Sequence, residues 1–345
     1  MSRPLAPTLD DVARAAGVSR ATASRAVRGG AQVKASTQAA IDRAVRELGY
    51  VPNLVARSLA TKRTDTIAVI VSEPHTRLFA DPFFPTVISG IAEKLAPTDL
   101  HMSLLMGDGE YRKKLDQYLR SGRADAAIIV SHHDGDNLPG LMKELRLPHV
   151  FLGRPIEEES EDKQASAGHT STHFIDLDNV TGGYMAAEHL IERGSRNIAM
   201  ITGPMDIASS RERLEGARSA LAHEGIDFID VQHGTFEEAN AHELTQKILR
   251  THPHIDGLFV GSDRMAVAAL SALRDAERMV PADIRVVGFD NAEFAALSVP
   301  TLTTITNPWQ EIAQRATDML LAQLEGEPVE TPILLQPTLI KRQSS

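Results

Sequence analysis

Between Ser19 and Gly29-Gly30 runs RATASRAVR, a short segment that sets Arg20, Arg25 and Arg28 among small side chains. At helical spacing Val18, Ala23 and Val27 share one side, which leaves Arg20, Ala21, Ser24 and Arg25 on or near the other. A guanidinium on such a face can donate two parallel hydrogen bonds to the O6/N7 edge of guanine in a major groove, discriminating by about 1–3 kcal/mol. Small Ala21 permits close approach or contact with a thymine methyl. The same arginines could instead clamp phosphates or stay solvated, and Thr22 and Ser24 fit phosphate contact or helix packing. Metal chemistry has less behind it. His132-His133-Asp134, His169 with His173, and His252 with His254 fall in segments reading as loops or strand ends and lack a full ligand set, so no metal is expected. With no cysteine in the chain, thiolate nucleophiles, disulfides and Cys-based zinc sites are excluded. The chain also lacks G-x-G-x-x-G, the P-loop pattern and G-x-S-x-G, so neither a cofactor nor an enzyme is expected.

Three short helices must hold that face. Thr8 caps the first, with Asp11 three residues on, and Gly17 turns the chain out of it. Ser19 caps the second, which runs Arg20 to Arg28 and stops at the glycine pair. The third runs from about Thr37 to Leu48, with Ile41, Ala44, Val45 and Leu48 inward and Gly49 at its end. Two short helices joined by a tight glycine turn form a helix-turn-helix. Charge agrees: residues 1–63 carry 11 Lys and Arg against 4 acids, a net +7, so the remainder of a chain of net charge −10 carries −17. A basic head on an acidic body suits a phosphate-binding module on a soluble domain, because counterion release acts locally.

The stretches TLDDVARAAGVSRATASRAVRG and ELGYVPNLVARSLATKRTDTIAVIV resemble the lactose-repressor/galactose-repressor (LacI/GalR) family of bacterial regulators. The resemblance implies that Arg20, Ala21 and Arg25 read bases, with Thr8, Ser19, Thr22 and Ser24 at the DNA backbone. Ala23 departs from the family's usual Val, which loosens packing without changing the mechanism. Pro52-Asn53 followed by LVARSLA reads as a capped helix too short to be stable alone in water. Asn53, Ala56 and Arg57 match the family's hinge, and Leu59 takes the position of the leucine that wedges into the minor groove, the alternative being a leucine that packs the dimer.

From Thr66 onward, β-branched runs alternate with amphipathic segments, first TIAVIV to HVFLG and then NVTGGYMAAEHLIERG to WQEIAQRATDMLLAQL. That alternation predicts two doubly wound α/β lobes with parallel sheets and a ligand cleft at the carboxyl ends of their strands. The expected organisation is an all-α headpiece at 1–51, a hinge at 52–64 and a ligand-binding and dimerisation domain at 65–345. Its first lobe takes about 65–175 and 308–323, its second about 176–307 and 324–345. The family resemblance extends here through DPFFPTVISG, FLGRP, GSDRMA, VVGFDN and TLTTI, and implies a fold like periplasmic sugar-binding proteins. It suggests cleft residues Phe83 or Phe84, Arg154, Ser209, Arg213, Phe236, Ser262, Asp263, Asp290 and Trp309, with Arg213 and Asp290 foremost. Core packing competes for Phe84 and helix capping for Asp263; Asp178 and Asn179 read as strand-end or cap residues.

Such a set suits a sugar, whose apolar ring face stacks on Phe or Trp while its hydroxyls take paired donors and acceptors. The expectation is a repressor, dimeric on a pseudo-palindromic DNA operator, whose affinity a small oligosaccharide or glucoside controls. A nucleoside or nucleobase, acting as corepressor, is the alternative within the architecture; a small-molecule binding protein without DNA function leaves the +7 head unexplained. The sign of the coupling stays open, as does a tetramer, although LIKRQSS shows no leucine heptad. Lacking an apolar run of about 20 residues and a signal-peptide core, the chain is expected in the cytoplasm, on the nucleoid when operator-bound, with no membrane partner.

Overall fold

A computed structural model describes residues 7–27, 33–51, 63–156 and 172–345, in two compact units, Met1–Asp65 and Thr66–Ser345. The first contains α1 (Leu9–Ala15), α2 (Arg20–Val27) and α3 (Ala35–Leu48). At the head of α1, Thr8 Oγ1 accepts the Asp11 N–H at 3.4 Å while Asp11 Oδ2 accepts the Thr8 N–H at 2.9 Å, a reciprocal capping box. Gly17, at φ +67°, makes the turn, a left-handed conformation that a side chain would disfavour. Ser19 Oγ then accepts the Thr22 N–H at 3.1 Å and opens α2. Helix α3 starts two residues ahead of Thr37 because the Thr37 and Gln38 amides both close on the Lys34 carbonyl. Val12, Ala26, Ile41 and Ala44 form the small core, with Val18, Val27, Val45, Leu48 and Tyr50 packed around it. Ala23 is fully buried as expected; Ala26, one turn further round the same side, is a core residue the sequence reading passed over.

In the second unit, strands and helices alternate: β1 (Thr66–Val71), α4 (His75–Ala80), α5 (Phe83–Leu95), β2 (His101–Met106), α6 (Tyr111–Arg120), β3 (Ala126–Val130), α7 (Leu138–Leu145), β4 (His149–Leu152) and β5 (Phe174–Leu177). There follow α8 (Asn179–Glu192), β6 (Ile198–Thr202), α9 (Ala208–His223), β7 (Asp230–His233), α10 (Glu238–Thr251), β8 (Gly257–Val260), α11 (Asp263–Asp275) and β9 (Arg285–Asp290). Last come β10 (Thr303–Thr306), α12 (Trp309–Glu325), β11 (Ile333–Leu335) and β12 (Leu339–Ile340). Two six-stranded sheets result, ordered β11-β5-β4-β3-β1-β2 and β12-β10-β9-β8-β6-β7. All pairings are parallel except β10 with β12.

Each sheet is covered on both faces, and the pleat divides its side chains between two cores. Ile67, Val69 and Val71 of β1 pack with α5 and α12, whereas Ala68 and Ile70 pack with α6 and α7. In the second sheet Ala199 and Ile201 of β6 face α10 and α11, while Ile198 and Met200 face α8 and α9. One boundary needs correction. Sequence reading gives all of 324–345 to the second lobe, yet β11 pairs with β5 and so completes the first sheet, and only β12 joins the second. The Asp178 N–H bonds the Leu335 carbonyl at 2.8 Å, so two of the crossings between lobes run side by side.

Candidate ligand cleft and nucleic-acid interface

Helix α2 places its chemistry by exclusion. Ala23 and Ala26 are buried, Val27 is packed against the same core, and Ala21 and Arg25 fall on the opposite side, exposed. Arg20 is exposed at the edge of that face, its Nε 3.5 Å from Asp10. Ser19 and Thr22 share a hydroxyl hydrogen bond of 2.9 Å, Ser24 is half-buried, and the Thr8 hydroxyl donates to Asp11 at 2.7 Å. Asn53, Ala56, Arg57 and Leu59 lie outside the described residues, as do Arg28 and His169.

Between the two sheets lies a cleft with about 1030 Å³ of empty space, its open mouth included. Of the ten residues suggested for it, Phe83, Arg154, Ser209, Arg213, Phe236, Ser262, Asp290 and Trp309 line it. Phe84 does not: it is fully buried, one step round α5 from Phe83, in the core with Val87 and Ile91. Asp263 does not either. Ser262 caps α11, accepting the Met265 N–H, while Asp263 turns inward to accept from Thr304 Oγ1 at 2.6 Å and the Ala292 N–H at 2.8 Å. Burial, with Asp290 nearby, holds its carboxyl well above the ordinary range.

Arg213 anchors the second-lobe wall. Helix α9 crosses α8 so closely that a Cβ on Gly183 would meet the Arg213 carbonyl oxygen at 2.1 Å, and one on Gly216 the Val180 carbonyl oxygen at 1.8 Å. That approach lets Arg213 Nε donate to Asn179 Oδ1 at 2.9 Å, Nη1 donate to the Gly261 carbonyl at 2.6 Å, and the guanidinium cover the Phe289 ring at 3.7 Å. Nη2 stands 3.8 Å from Asp290 Oδ1. Burial works against the Arg213 charge, and Asp290 is the largest of the carboxylates opposing that. Asp290 ends β9 at φ +113°, a backbone conformation L-residues rarely adopt and one that turns its carboxylate into the cleft. Burial pushes its pKa up to about 7, against the pull of Arg213 and of Asn307, whose Nδ2 donates at 3.2 Å.

On the first-lobe side, Phe83 meets Trp309 edge-on with centroids 5.3 Å apart. Asp176 accepts the Arg154 N–H at 2.9 Å and the Leu177 N–H at 2.7 Å, and burial raises its carboxyl. Sequence reasoning missed Asp176 together with Arg77, Asp81, His132 and Arg264, all on the cleft wall. Asp81 and Arg264 stand inside quoted motifs, at DPFF and GSDRMA; Arg77 stands in SEPHTRLFA, a stretch that resembles family members regulating oligosaccharide or glucoside use but does not single out Arg77 itself. Several side chains span the lobes. Arg154 Nε bonds Glu212, Arg211 Nη2 bonds Asp134 at 2.8 Å, and His133 bridges Glu73 at 3.1 Å and Asp206 at 2.9 Å. Among the described residues no group of three or more His, Asp or Glu is arranged to hold a metal ion, and no helix is long and apolar enough to cross a membrane. His132 accepts the Ile156 N–H, and His252 lies 3.6 Å from Asp230.

Residues 8–53 match the family "Bacterial regulatory proteins, lacI family", and residues 187–345 match "Periplasmic binding protein-like domain". The HTH-type transcriptional regulator CelR of Thermobifida fusca is 36% identical over 348 residues, covering 100% of both chains. A solved CelR–cellobiose complex is 35% identical with a TM-score of 0.74, over 98% of this chain and 100% of that one. A lac repressor dimer bound to operator and the anti-inducer ONPF is 28% identical with a TM-score of 0.86, over 99% of each.

Proposed function

Since the chain belongs to the LacI family of bacterial DNA-binding regulators, we propose that it is a sugar-released repressor: a homodimer holds a pseudo-palindromic operator until an oligosaccharide or glucoside enters the cleft. The nature of the cleft carries the choice of ligand. Among the described residues four guanidiniums line it, and each already faces a carboxylate: Arg77 faces Glu73, Arg154 Glu212, Arg213 Asp290 and Arg264 Glu238. A phosphorylated ligand would find no uncompensated arginine among these described residues, whereas a neutral polyol can use paired donors and acceptors beside the Phe83, Phe236 and Trp309 rings. Cellobiose, held by the similar CelR structure, is the first ligand to try.

In this reading Arg20, Ala21 and Arg25 read base edges in the major groove while Thr8, Ser19, Thr22 and Ser24 position the backbone. Residues 52–64 form the hinge, with Asn53, Ala56 and Arg57 at the DNA and Leu59 wedged in the minor groove. A helix of so few residues is marginal alone, so a ligand-driven shift of the lobes across the dimer can release it. A coupling of about 1–3 kcal/mol changes operator affinity 5- to 150-fold. The protein acts in the cytoplasm, at the nucleoid when bound, and performs no catalysis.

A thermal-shift screen of the full chain against mono- and disaccharides, nucleosides and nucleobases tests the ligand. At 100 times its Kd a true effector stabilises the fold by about 2.7 kcal/mol. A sugar hit that also weakens operator binding in a gel-shift assay supports the proposal; a response only to a nucleoside or nucleobase overturns the sugar assignment.

A further inference from the structure

One side of the cleft holds a polar constellation that neither the family resemblance nor the Arg213–Asp290 pair accounts for. Asp81 follows α4, and its Oδ1 accepts the Phe83 N–H at 3.0 Å. Its Oδ2 stands 3.9 Å from Arg77 Nε and 3.9 Å from Arg264 Nη1. Both separations exceed a hydrogen bond, and Arg77 Nε is a buried donor with no partner. Yet 3.9 Å is short enough for one oxygen to sit within hydrogen-bond reach of both ends of a gap.

The surrounding contacts keep these groups in place. Arg77 Nη1 is bound to the buried Glu73, and the guanidinium lies 4.7 Å from the centre of the Phe236 ring, which belongs to the opposite lobe. Arg264 commits Nε and Nη2 to Glu238, each at 2.7 Å, and presents Nη1 toward Asp81. A donor left open and an acceptor left open therefore face each other on the first lobe, and Arg264 Nη1 reaches the same acceptor from the second. An atom there must accept from Nε–H and donate to Oδ2 at once. A hydroxyl does both through a single oxygen, whereas a nucleobase edge separates its donors and acceptors on different atoms.

We propose that Arg77, Asp81 and Arg264 form a second hydroxyl-reading subsite, apart from Arg213 and Asp290, that recognises the second ring of a disaccharide. This rests on the sugar reading of the cleft. Because the subsite draws on both lobes, a ring seated in it also ties them together.

Calorimetric titration of the full chain with cellobiose and with methyl β-glucoside tests the proposal, using wild type, Arg77→Met and Asp81→Asn. Wild type should bind cellobiose the more tightly. Both variants should weaken cellobiose about 10- to 100-fold and leave methyl β-glucoside within about twofold, which collapses the preference. Variants that bind cellobiose as wild type does overturn the subsite, as does a wild type that binds the two sugars equally. Asp81→Asn keeps the acceptor for Phe83, so it decides the matter if Arg77→Met, which strips a partner from Glu73, fails to fold. A wild type that binds neither these nor any other sugar sinks the sugar reading itself, a distinct result.

Discussion

His133 of the first lobe and Asp206 of the second meet at 2.9 Å, and the other ring nitrogen of His133 reaches Glu73 at 3.1 Å. Beside them the Asp134 N–H bonds the Asp206 carbonyl at 2.8 Å, and Arg211 pairs with Asp134. Burial disfavours a charged imidazole, but the two carboxylates outweigh it and raise His133 from 6.5 to about 9. A raised pKa means that the clasp contributes fully below about pH 6.5 and is lost as pH climbs through about 9. Melting temperature should accordingly fall between pH 7 and pH 9.5, and the fall should be shallower in His133→Gln. Parallel curves for the two proteins would rule out His133 as the titrating link.

Arg25→Ala should weaken operator binding and relax sequence preference at one base position, with a discrimination loss of about 1–3 kcal/mol. Ligand affinity should not change, because Arg25 is exposed on the headpiece, a separate compact unit from the cleft. Gel shifts against single-base operator variants read both quantities. An unchanged preference would reassign the Arg25 contact to phosphate.

Four places separate what the sequence makes legible from what only the fold assembles. Alternation of apolar runs sufficed for the central strands of the two sheets, because fully covered parallel strands are continuous apolar segments, whereas edge strand β7, DVQH, is polar and β11 is only three residues long, its partner a matter of distant pairing. Phe83 and Phe84 were separable in principle: Phe84, Val87 and Ile91 follow i, i+3, i+7, a core stripe from which Phe83 departs. Ser262 and Asp263 were harder, since either suits an N-cap and only the reach of Thr304 and Ala292 shows which side chain turns inward. Arg77 was illegible because its role comes from Phe236 and Glu73, groups assembled by the fold.

Gly183→Ala tests the helix crossing that sets Arg213. The new methyl would overlap the Arg213 backbone, which cannot swing away as a flexible side chain could. Overpacking of this kind costs about 1–3 kcal/mol. Both a lower melting temperature and a weaker sugar affinity are expected, measured by calorimetry on the same sample. A variant that loses stability but binds sugar as wild type would detach the crossing from the ligand site.

Arg213→Lys keeps a positive charge in the second-lobe wall but discards the planar fork. Lysine cannot reproduce the two directed bonds to Asn179 and Gly261 or the stacking on Phe289. The compact ammonium still opposes the Asp290 carboxylate, so the fold should survive where Arg213→Ala would leave a buried acid without its cation. Sugar affinity should fall by at least about tenfold, the equivalent of 1.4 kcal/mol, with operator binding intact but no longer released by sugar. Asp290 adds a pH signature. Its pKa of about 7 lies far above the ordinary 3.8, so the acid is half-protonated near neutrality and gains charge as pH rises. If the ligand needs the carboxylate as acceptor, wild-type affinity should increase from pH 6 to pH 8, and Asp290→Asn should flatten that rise. Titrations at both pH values decide it: a flat wild-type profile would mean that the ligand binds either form of Asp290 equally well.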